Sequence, residues 1–236
     1  MRGPDLCEDV SETDPQSTGL LPLKAKALSR NANDTASAVN TFIGIAKELL
    51  KTRGKANMAL LRGFSSPPNL PNMGEKYSLT PAAIASYPMY RGLSKLAGMS
   101  ILKTGTNFDD QISTLENHIS EHDFFFLHYK PADTAGEDGD FEAKVAALEE
   151  LDARIPRLIE LNPDVLVIAG DHSTPSIMGR HSWHPVPLLV NSSIPGDQVR
   201  EFTEQACSTG SIGRIPATNL MMITLAHADK LLKFGP

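Results

Sequence analysis

Residues 165–172 read Val-Leu-Val-Ile-Ala-Gly-Asp-His, an apolar run that ends in a glycine and two polar side chains. Such a run is typical of a strand buried on both faces of a parallel sheet. In α/β proteins, ligands bind in the loops that follow the carboxyl ends of these strands. The stretch therefore predicts an α/β fold with a mostly parallel sheet flanked by helices, and it places Asp171 and His172 where a site is expected.

Other segments extend this pattern along the chain. Residues 124–127 predict a second buried strand, and further apolar runs predict strands at residues 58–61 and 186–190. Strands that alternate with helices in this way indicate parallel pairing. Apolar residues at helical spacing predict helices at residues 34–53, 80–87, 89–97, 109–120, 141–161 and 219–232, with a break at Pro156.

A linker is predicted at residues 65–71, which are rich in proline. We place a domain boundary there, with a first domain at residues 1–66 and a second at residues 67–236. Residues 1–34 show no sustained periodicity, so they predict extended or looping structure. The second domain contains both buried strands and is therefore expected to carry the site.

Length and composition exclude several classes of protein. The chain has 236 residues, 41% of them hydrophobic, and this is enough to bury a core. A net charge of -6 leaves no broad basic face, so nucleic acid is not an expected partner. No apolar run is long enough to cross a membrane, and the N-terminus lacks the apolar core of a signal peptide. Cys7 and Cys207 lie far apart and in no metal or redox motif, which indicates a reducing, cytoplasmic setting.

Asp171 and His172 offer an oxygen and a nitrogen ligand at a strand end, and such a pair can hold a divalent cation. The alternative is that Asp171 caps a following helix, and the pair alone does not decide between the two. His181 follows His172 by nine residues, in a segment stiffened by prolines. We predict that these three side chains converge on a metal ion, with His184 as a weaker candidate that lines the mouth of the site or packs against Pro185.

Residues 128–140 place four acidic residues directly after the strand at 124–127. A solvated loop is the ordinary interpretation of such a segment. Carboxylates in a glycine-containing loop after a buried strand are also what a metal site needs, and Asp133 and Glu137 are the candidates. An EF-hand is excluded because the ligand spacing differs.

Arg62 and Lys76 are positive charges in predicted loops, where an anion could bind. Either residue alone is more simply an exposed surface charge. A phosphate role for these two residues therefore needs further support.

An ordered series of motifs runs along nearly the whole chain. Together these motifs resemble the cofactor-independent phosphoglycerate mutases of the archaeal type, which are members of the alkaline-phosphatase superfamily. The series consists of Asp14-Pro15 with Gly19, residues 57–63, Glu75-Lys76-Tyr77 with residues 82–85, residues 92–98, Lys130-x-x-Asp133-x-x-Gly136, residues 170–175, His181-Ser182 with Pro185-Val186-Pro187, and the ending Lys233-Phe234-Gly235.

The resemblance implies an alkaline-phosphatase-like domain that binds two divalent metal ions. It also implies a smaller inserted α/β domain that closes over the substrate, and residues 1–66 would be the tail of that insertion. The expected ions are Mn²⁺ first, with Mg²⁺, Co²⁺ or Zn²⁺ as alternatives, and 2,3-bisphosphoglycerate is not required.

Residue roles follow from the resemblance motif by motif. Asp171 and His172 would ligate one metal, and Asp133 with His181 would ligate the other. The basic residues Arg62 and Lys76 would hold the phosphate and carboxylate of phosphoglycerate, a small-molecule substrate.

The implied activity is the interconversion of 2-phosphoglycerate and 3-phosphoglycerate in glycolysis. In this family a serine or threonine attacks the phosphate and forms a phosphoenzyme, while the metals lower the pKa of that nucleophile and neutralise charge. The alternatives are a phosphatase or phosphonate hydrolase of the same superfamily, and a non-catalytic metal-binding fragment.

The chain departs from the family pattern at two points. Glu137 stands where the family has a histidine ligand, and an oxygen ligand there should favour harder ions. The family's N-terminal part, which carries the nucleophile and another metal ligand, has no counterpart in this sequence. We therefore expect a fragment or truncated product with apolar strand edges exposed, in which Ser173 has a local hydrogen-bonding role and is not the nucleophile. The oligomeric state stays open.

Overall fold

The computed structural model describes residue 3, residues 5–197 and residues 199–231. The chain forms two compact units, Met1–Leu70 and Pro71–Pro236. This division falls inside the predicted linker at residues 65–71. The assignment of residues 1–66 to an inserted domain stays a prediction.

The first unit is built around one long helix. Helix α1 (Asn33–Leu50) follows a 3-10 turn at Arg30–Ala32 and begins close to the predicted position. The side chain of Asn40 accepts a hydrogen bond from the Ala25 amide (3.0 Å) and donates one to the Ala25 carbonyl (2.9 Å), which fixes the preceding segment against the helix. The buried core of this unit consists of Val10, Ala25, Ala32, Ala36 and Val39.

The strand predicted at residues 58–61 is wrong, since these residues join no sheet. The Leu61 amide donates to the hydroxyl oxygen of Thr13 (2.7 Å), and the Leu61 carbonyl accepts from the Thr13 amide (2.8 Å). The side chain of Thr13 is fully buried. Its hydroxyl therefore satisfies a backbone group that a neighbouring strand would otherwise satisfy.

Within the described residues, the second unit contains a parallel sheet and a separate antiparallel pair. The strands are β1 (Pro81–Ile84), β2 (Ser100–Ile101), β3 (Phe124–Leu127), β4 (Val165–Ala169) and β5 (Leu188–Ser192). The parallel sheet has the order β2-β1-β3, with Ala82 opposite both Ser100 and Phe125. The predicted α/β class with a parallel sheet is confirmed, whereas the antiparallel pairing of β4 with β5 was not predicted.

Helices separate β1, β2, β3 and β4 along the chain, as predicted, whereas β5 follows β4 with no helix in the described residues 170–187 between them. The helices are α2 (Met73–Tyr77), α3 (Pro88–Leu96), α4 (Phe108–His118), α5 (Pro131–Glu137), α6 (Phe141–Asp152), α7 (Ile155–Glu160), α8 (Glu204–Cys207) and α9 (Leu220–His227). The predicted break at Pro156 is confirmed, because this residue lies in the first turn of α7. Among the described residues, no helix combines the length and apolar character needed to cross a bilayer.

The C-terminal helix is shorter than the predicted span of residues 219–232. It ends at His227, and the backbone of Asp229 has a positive φ of 53°. Residue 232 and the motif at residues 233–235 lie outside the described residues.

The helix predicted at residues 80–87 is wrong, because this segment forms β1. Ala82, Ala83 and Ile84 are each 0% exposed, and β1 pairs with strands on both sides. Alanine favours helix in isolation, but a central position in a sheet overrides that preference. Pro81 is tolerated because it is the first residue of the strand.

The core of the second unit lies where α4 and α7 meet β1. Partly buried aromatic residues pack around this core, and Phe108 contacts the ring of Tyr129 edge to face at 5.1 Å. Its buried members are Ile84, Phe108, Ile112, Leu115 and Leu158.

Candidate metal centre

The candidate site is formed by the segments that follow β3 and β4. The segment after β3 was predicted as a loop but contains the short helix α5, because Pro131 is preorganised for a first helical turn. Asp133 and Glu137 are four residues apart on α5 and therefore share one helical face. Asp171 and His172 follow β4 with one glycine between, as predicted.

His181 reaches the site through a turn and a short bridge. Ser173 and Ser182 form an isolated antiparallel bridge, in which the Ser182 amide donates to the Ser173 carbonyl at 2.9 Å. The ring of His181 stacks on that of His172, with centroids 3.7 Å apart. No helix begins at Ser173, so the alternative in which Asp171 caps a helix is wrong.

Asp133, His172 and His181 form the centre of the cluster, since one ligand atom from each lies within 4.8 Å of the other two. Nε2 of His181 lies 3.6 Å from Oδ1 of Asp133 and 3.2 Å from Oε1 of Glu137. Nε2 of His172 lies 3.5 Å from Oδ2 of Asp171. We divide the five side chains into two adjacent groups that meet at His172, one with Asp171 and His172 and the other with Asp133, Glu137 and His181.

This donor set suits divalent cations, because carboxylate oxygens and imidazole nitrogens are ligands of first-row divalent metals. The side chain of Asp133 is 18% exposed, whereas those of Asp171 and His181 are each 52% exposed. The cluster is therefore largely buried at Asp133 and exposed at Asp171 and His181. The residues fit a divalent metal ion, and both the number of ions and the assignment of ligands stay predictions.

Residues 25–227 match the sequence profile of a family described as the Metalloenzyme superfamily. The chain belongs to the Metalloenzyme superfamily.

Relatives of this Metalloenzyme superfamily chain carry more specific names. A Thermus thermophilus protein named probable 2,3-bisphosphoglycerate-independent phosphoglycerate mutase is 47% identical over 239 residues, which cover 100% of this chain and 59% of the relative. The chain thus spans about three fifths of the length of the curated relatives that it matches. The resemblance to the cofactor-independent phosphoglycerate mutases is confirmed.

Two solved structures share the fold. A Pyrococcus horikoshii protein aligns with a TM-score of 0.77 at 27% identity, over 88% of this chain and 60% of that protein. The cofactor-independent phosphoglycerate mutase from Thermoplasma acidophilum aligns with a TM-score of 0.63 at 24% identity, over 96% of this chain and 61% of that protein. Both likenesses confirm the α/β fold of this superfamily member.

Lys130 is a cation next to the candidate ligands of this superfamily member. Its ammonium donates a hydrogen bond to Oδ2 of Asp133 and lies 3.8 Å from Oε2 of Glu137. Burial alone would raise the pKa of the Asp133 carboxyl, but hydrogen bonds from Lys130 and Thr174 outweigh it and hold that pKa below its usual value. Asp133 is therefore ionised at neutral pH, the state that a metal ligand requires.

Tyr90 and His128 are functional candidates that the sequence did not reveal. The Tyr90 hydroxyl donates to Oδ2 of Asp171, and its ring stacks on His128 with centroids 3.7 Å apart. Burial, together with the hydrogen bond to Asp171, raises the pKa of Tyr90. Burial lowers the pKa of His128, and its buried Nδ1 has no hydrogen-bond partner among the described residues. Tyr90 lies in α3, the helix that follows β1. Recognising that strand would have placed Tyr90 near the carboxyl end of the central strand.

The remaining acidic and imidazole candidates have local roles. Asp140 caps α6 by accepting a hydrogen bond from the Ala143 amide at 2.9 Å, so part of the acidic segment is structural. His184 lies outside the cluster, with its ring stacked on Trp183 and its Nδ1 2.8 Å from the Ser182 hydroxyl.

The two predicted substrate residues lie in different units. Arg62 is in the first unit, where its Nη1 lies 3.5 Å from Oδ2 of Asp14. Lys76 is on α2 in the second unit, with its ammonium 5.1 Å from the centre of the Tyr77 ring. Within the described part of that unit, Lys76 forms no hydrogen bond or ion pair with the cluster. The roles of both residues stay predictions.

Proposed function

We propose that this chain is the metal-binding part of a phosphoglycerate mutase that interconverts 2-phosphoglycerate and 3-phosphoglycerate without 2,3-bisphosphoglycerate. The convergence of Asp133, His172 and His181 is the observation that carries this proposal. Support also comes from the relatives that are named as probable forms of that enzyme. They match this chain along nearly its whole length. The free cysteines Cys7 and Cys207 agree with activity in the cytoplasm, where glycolysis takes place.

We assign Asp171 and His172 to one divalent ion, and Asp133, Glu137 and His181 to the other. Bound divalent ions polarise phosphoryl oxygens and lower the pKa of a hydroxyl nucleophile. Three oxygen donors stand beside two nitrogen donors in this set, which favours Mn²⁺ or Mg²⁺ over softer ions.

The side chains of this chain have three further tasks in the proposed reaction. Lys130 balances the negative charge of the carboxylates, and Tyr90 orients Asp171 through its hydroxyl. We assign the phosphate and carboxylate of the substrate to Arg62 and Lys76, because guanidinium and ammonium groups bind these anions.

We assign the nucleophile to the part of the relatives that this chain does not match. The hydroxyls of Ser173 and Thr174, which follow the candidate ligand His172, are both engaged in hydrogen bonds. Ser173 donates to the His184 carbonyl at 3.2 Å, and Thr174 donates to Oδ1 of Asp133 at 2.5 Å. A hydroxyl that already serves a structural partner is a poor candidate for attack on phosphate.

The test is a chimera in which this chain replaces the matched portion of the Thermus thermophilus relative. With Mn²⁺ and no bisphosphoglycerate, we expect conversion of 3-phosphoglycerate to 2-phosphoglycerate. Asp133→Asn should abolish that activity, and Asp138→Asn at a neighbouring exposed position should retain it. Release of inorganic phosphate instead of isomerisation would establish a phosphatase. A folded chimera that binds Mn²⁺ without turnover would establish a non-catalytic module.

A further inference from the structure

Thr174 is a buried hydroxyl residue beside the open cluster. The residue is 4% exposed, and buried hydroxyls are stable only when they are hydrogen-bonded. Its Oγ1 lies 2.5 Å from Oδ1 of Asp133 and 3.1 Å from Nδ1 of His172. One side chain thus contacts a member of each of the two ligand groups.

The hydrogen-bonding capacity of these three groups fixes the direction of both bonds. A threonine hydroxyl has one proton, and an ionised carboxylate can only accept. The Thr174 proton therefore goes to Asp133. The Thr174 oxygen then accepts from His172, which requires the proton of a neutral imidazole to be on Nδ1.

This arrangement leaves the lone pair of His172 on Nε2. That nitrogen lies 3.5 Å from Oδ2 of Asp171, whereas Nδ1 lies 3.8 Å from Oδ1 of Asp133. The unprotonated Nε2 of His172 is therefore the ring nitrogen that lies beside Asp171. Metal-binding histidines require this kind of tautomer control from their other ring nitrogen.

The main chain of Thr174 is held as firmly as its side chain. Its carbonyl accepts a hydrogen bond from the ammonium of Lys144 on α6. Helix α5 approaches the same carbonyl at Gly136, where any Cβ would collide with the Thr174 oxygen. Thr174 is therefore fixed relative to the helix that carries Asp133 and Glu137.

We propose that Thr174 is a positioning residue that sets the tautomer of His172 and the orientation of Asp133, and so couples the two ligand groups. This inference rests on the proposed function only because it assumes that the two ligand groups bind divalent ions. Loss of such supporting hydrogen bonds reduces metal affinity by about 10–100-fold in other metal sites. Thr174→Val, which keeps the shape and removes the hydroxyl, is expected to weaken Mn²⁺ binding by about that factor.

The experiment compares the full chain with three variants by isothermal titration with MnCl₂. Thr174→Ser retains the hydroxyl and should bind Mn²⁺ nearly as tightly as the parent. Thr114→Val is the matched control, because the Thr114 hydroxyl bonds Thr104 and the Asp110 carbonyl on α4, outside the cluster. It should leave the affinity unchanged. Thermal melts of all variants check that each one folds.

A second measurement reads the His172 tautomer in the metal-free chain by long-range ¹H–¹⁵N NMR correlation. We expect the Nδ1–H form in the parent and in Thr174→Ser, and its loss in Thr174→Val. An unchanged tautomer together with unchanged Mn²⁺ affinity in Thr174→Val would overturn the inference. Absence of Mn²⁺ binding by the parent would contradict the proposed function, while the tautomer would still decide the role of Thr174.

Discussion

Glu137 occupies the one ligand position at which this chain departs from the family pattern. Its Oε1 lies 3.2 Å from Nε2 of His181, so in the proposed site a side chain at residue 137 would share an ion with that imidazole. Oxygen at this position favours hard ions, whereas a second imidazole would favour zinc. We therefore expect the choice of metal to depend on this single side chain of α5.

We predict that Glu137→His raises the affinity for Zn²⁺ relative to Mn²⁺ by about tenfold, or about 1.4 kcal/mol. Competition titrations with a fluorescent chelator measure both affinities. The control is Glu142→His, which places an imidazole on an exposed position of α6. An unchanged ratio of the two affinities in Glu137→His would remove residue 137 from the ligand set.

At the scale of elements, Asp123 joins the start of β3 to the segment before β1. Its Oδ1 accepts from the Thr80 amide at 2.7 Å, and its Oδ2 accepts from Lys230 at 3.2 Å. Burial alone would raise the pKa of Asp123, but the hydrogen bonds from Thr80 and Lys230 outweigh it and hold the pKa below its usual value. The carboxylate therefore stabilises the pairing of the two strands while it is ionised.

We predict that Asp123→Asn lowers the free energy of unfolding by about 1 kcal/mol at neutral pH. A carboxyl with a lowered pKa stabilises the fold above its unfolded value of about 3.9, and this effect is lost as the pH falls through the folded value. The difference between parent and variant should therefore shrink in acid. Urea denaturation at neutral and acidic pH measures it, with the exposed Asp164→Asn as control. An equal difference at both pH values would assign the effect to packing.

Some elements were predictable because their signal is local. The strands β3 and β4 consist of unbroken apolar runs, which predict strands by themselves, although their side chains are half-buried and Ala169 is exposed. Strand β1 gave no such signal, because its alanines favour helix and its state depends on pairing with two strands that come later in the chain. Tyr90 lies in the helix predicted at residues 89–97, but its hydrogen bond to Asp171 joins residues that are 81 positions apart.

The convergence of the candidate ligands was predictable to the same degree, since carboxylates and imidazoles follow recognisable strands. The supporting residues were not. Thr174 and Asp133 are 41 positions apart, and their hydrogen bond arises only after α5 packs against the loop that follows β4. No spacing rule for a helix or a strand encodes such a contact.

At the scale of the whole molecule, apolar side chains remain on the surface. Met89, Leu93 and Leu96 lie on one face of α3 and are 61%, 54% and 52% exposed. Exposed apolar groups of this kind promote dye binding and association.

We predict that replacing Met89, Leu93 and Leu96 together by glutamine lowers 1-anilinonaphthalene-8-sulfonate fluorescence by about twofold or more. The reason is that the dye binds exposed apolar surface, and the triple variant has less of it. Self-association in sedimentation velocity should fall as well. Far-ultraviolet circular dichroism should not change, because these side chains contribute little to the core. Lys95→Gln on the same helix is the control. Fluorescence that persists in the triple variant would place the dye elsewhere.

In the proposed centre, we expect helix α5 to determine the response to ions of different radius. Asp133 and Glu137 sit one turn apart on a seven-residue helix, and the pitch of about 5.4 Å fixes their spacing. His181, in contrast, comes from a segment with no helix or strand, held to the loop after β4 by a single bridge. Exchange of a small cation for a larger one should therefore shift the imidazole of His181 and leave the two carboxylates in place. One side of the centre would then be rigid, and the other would adapt to the radius of the ion.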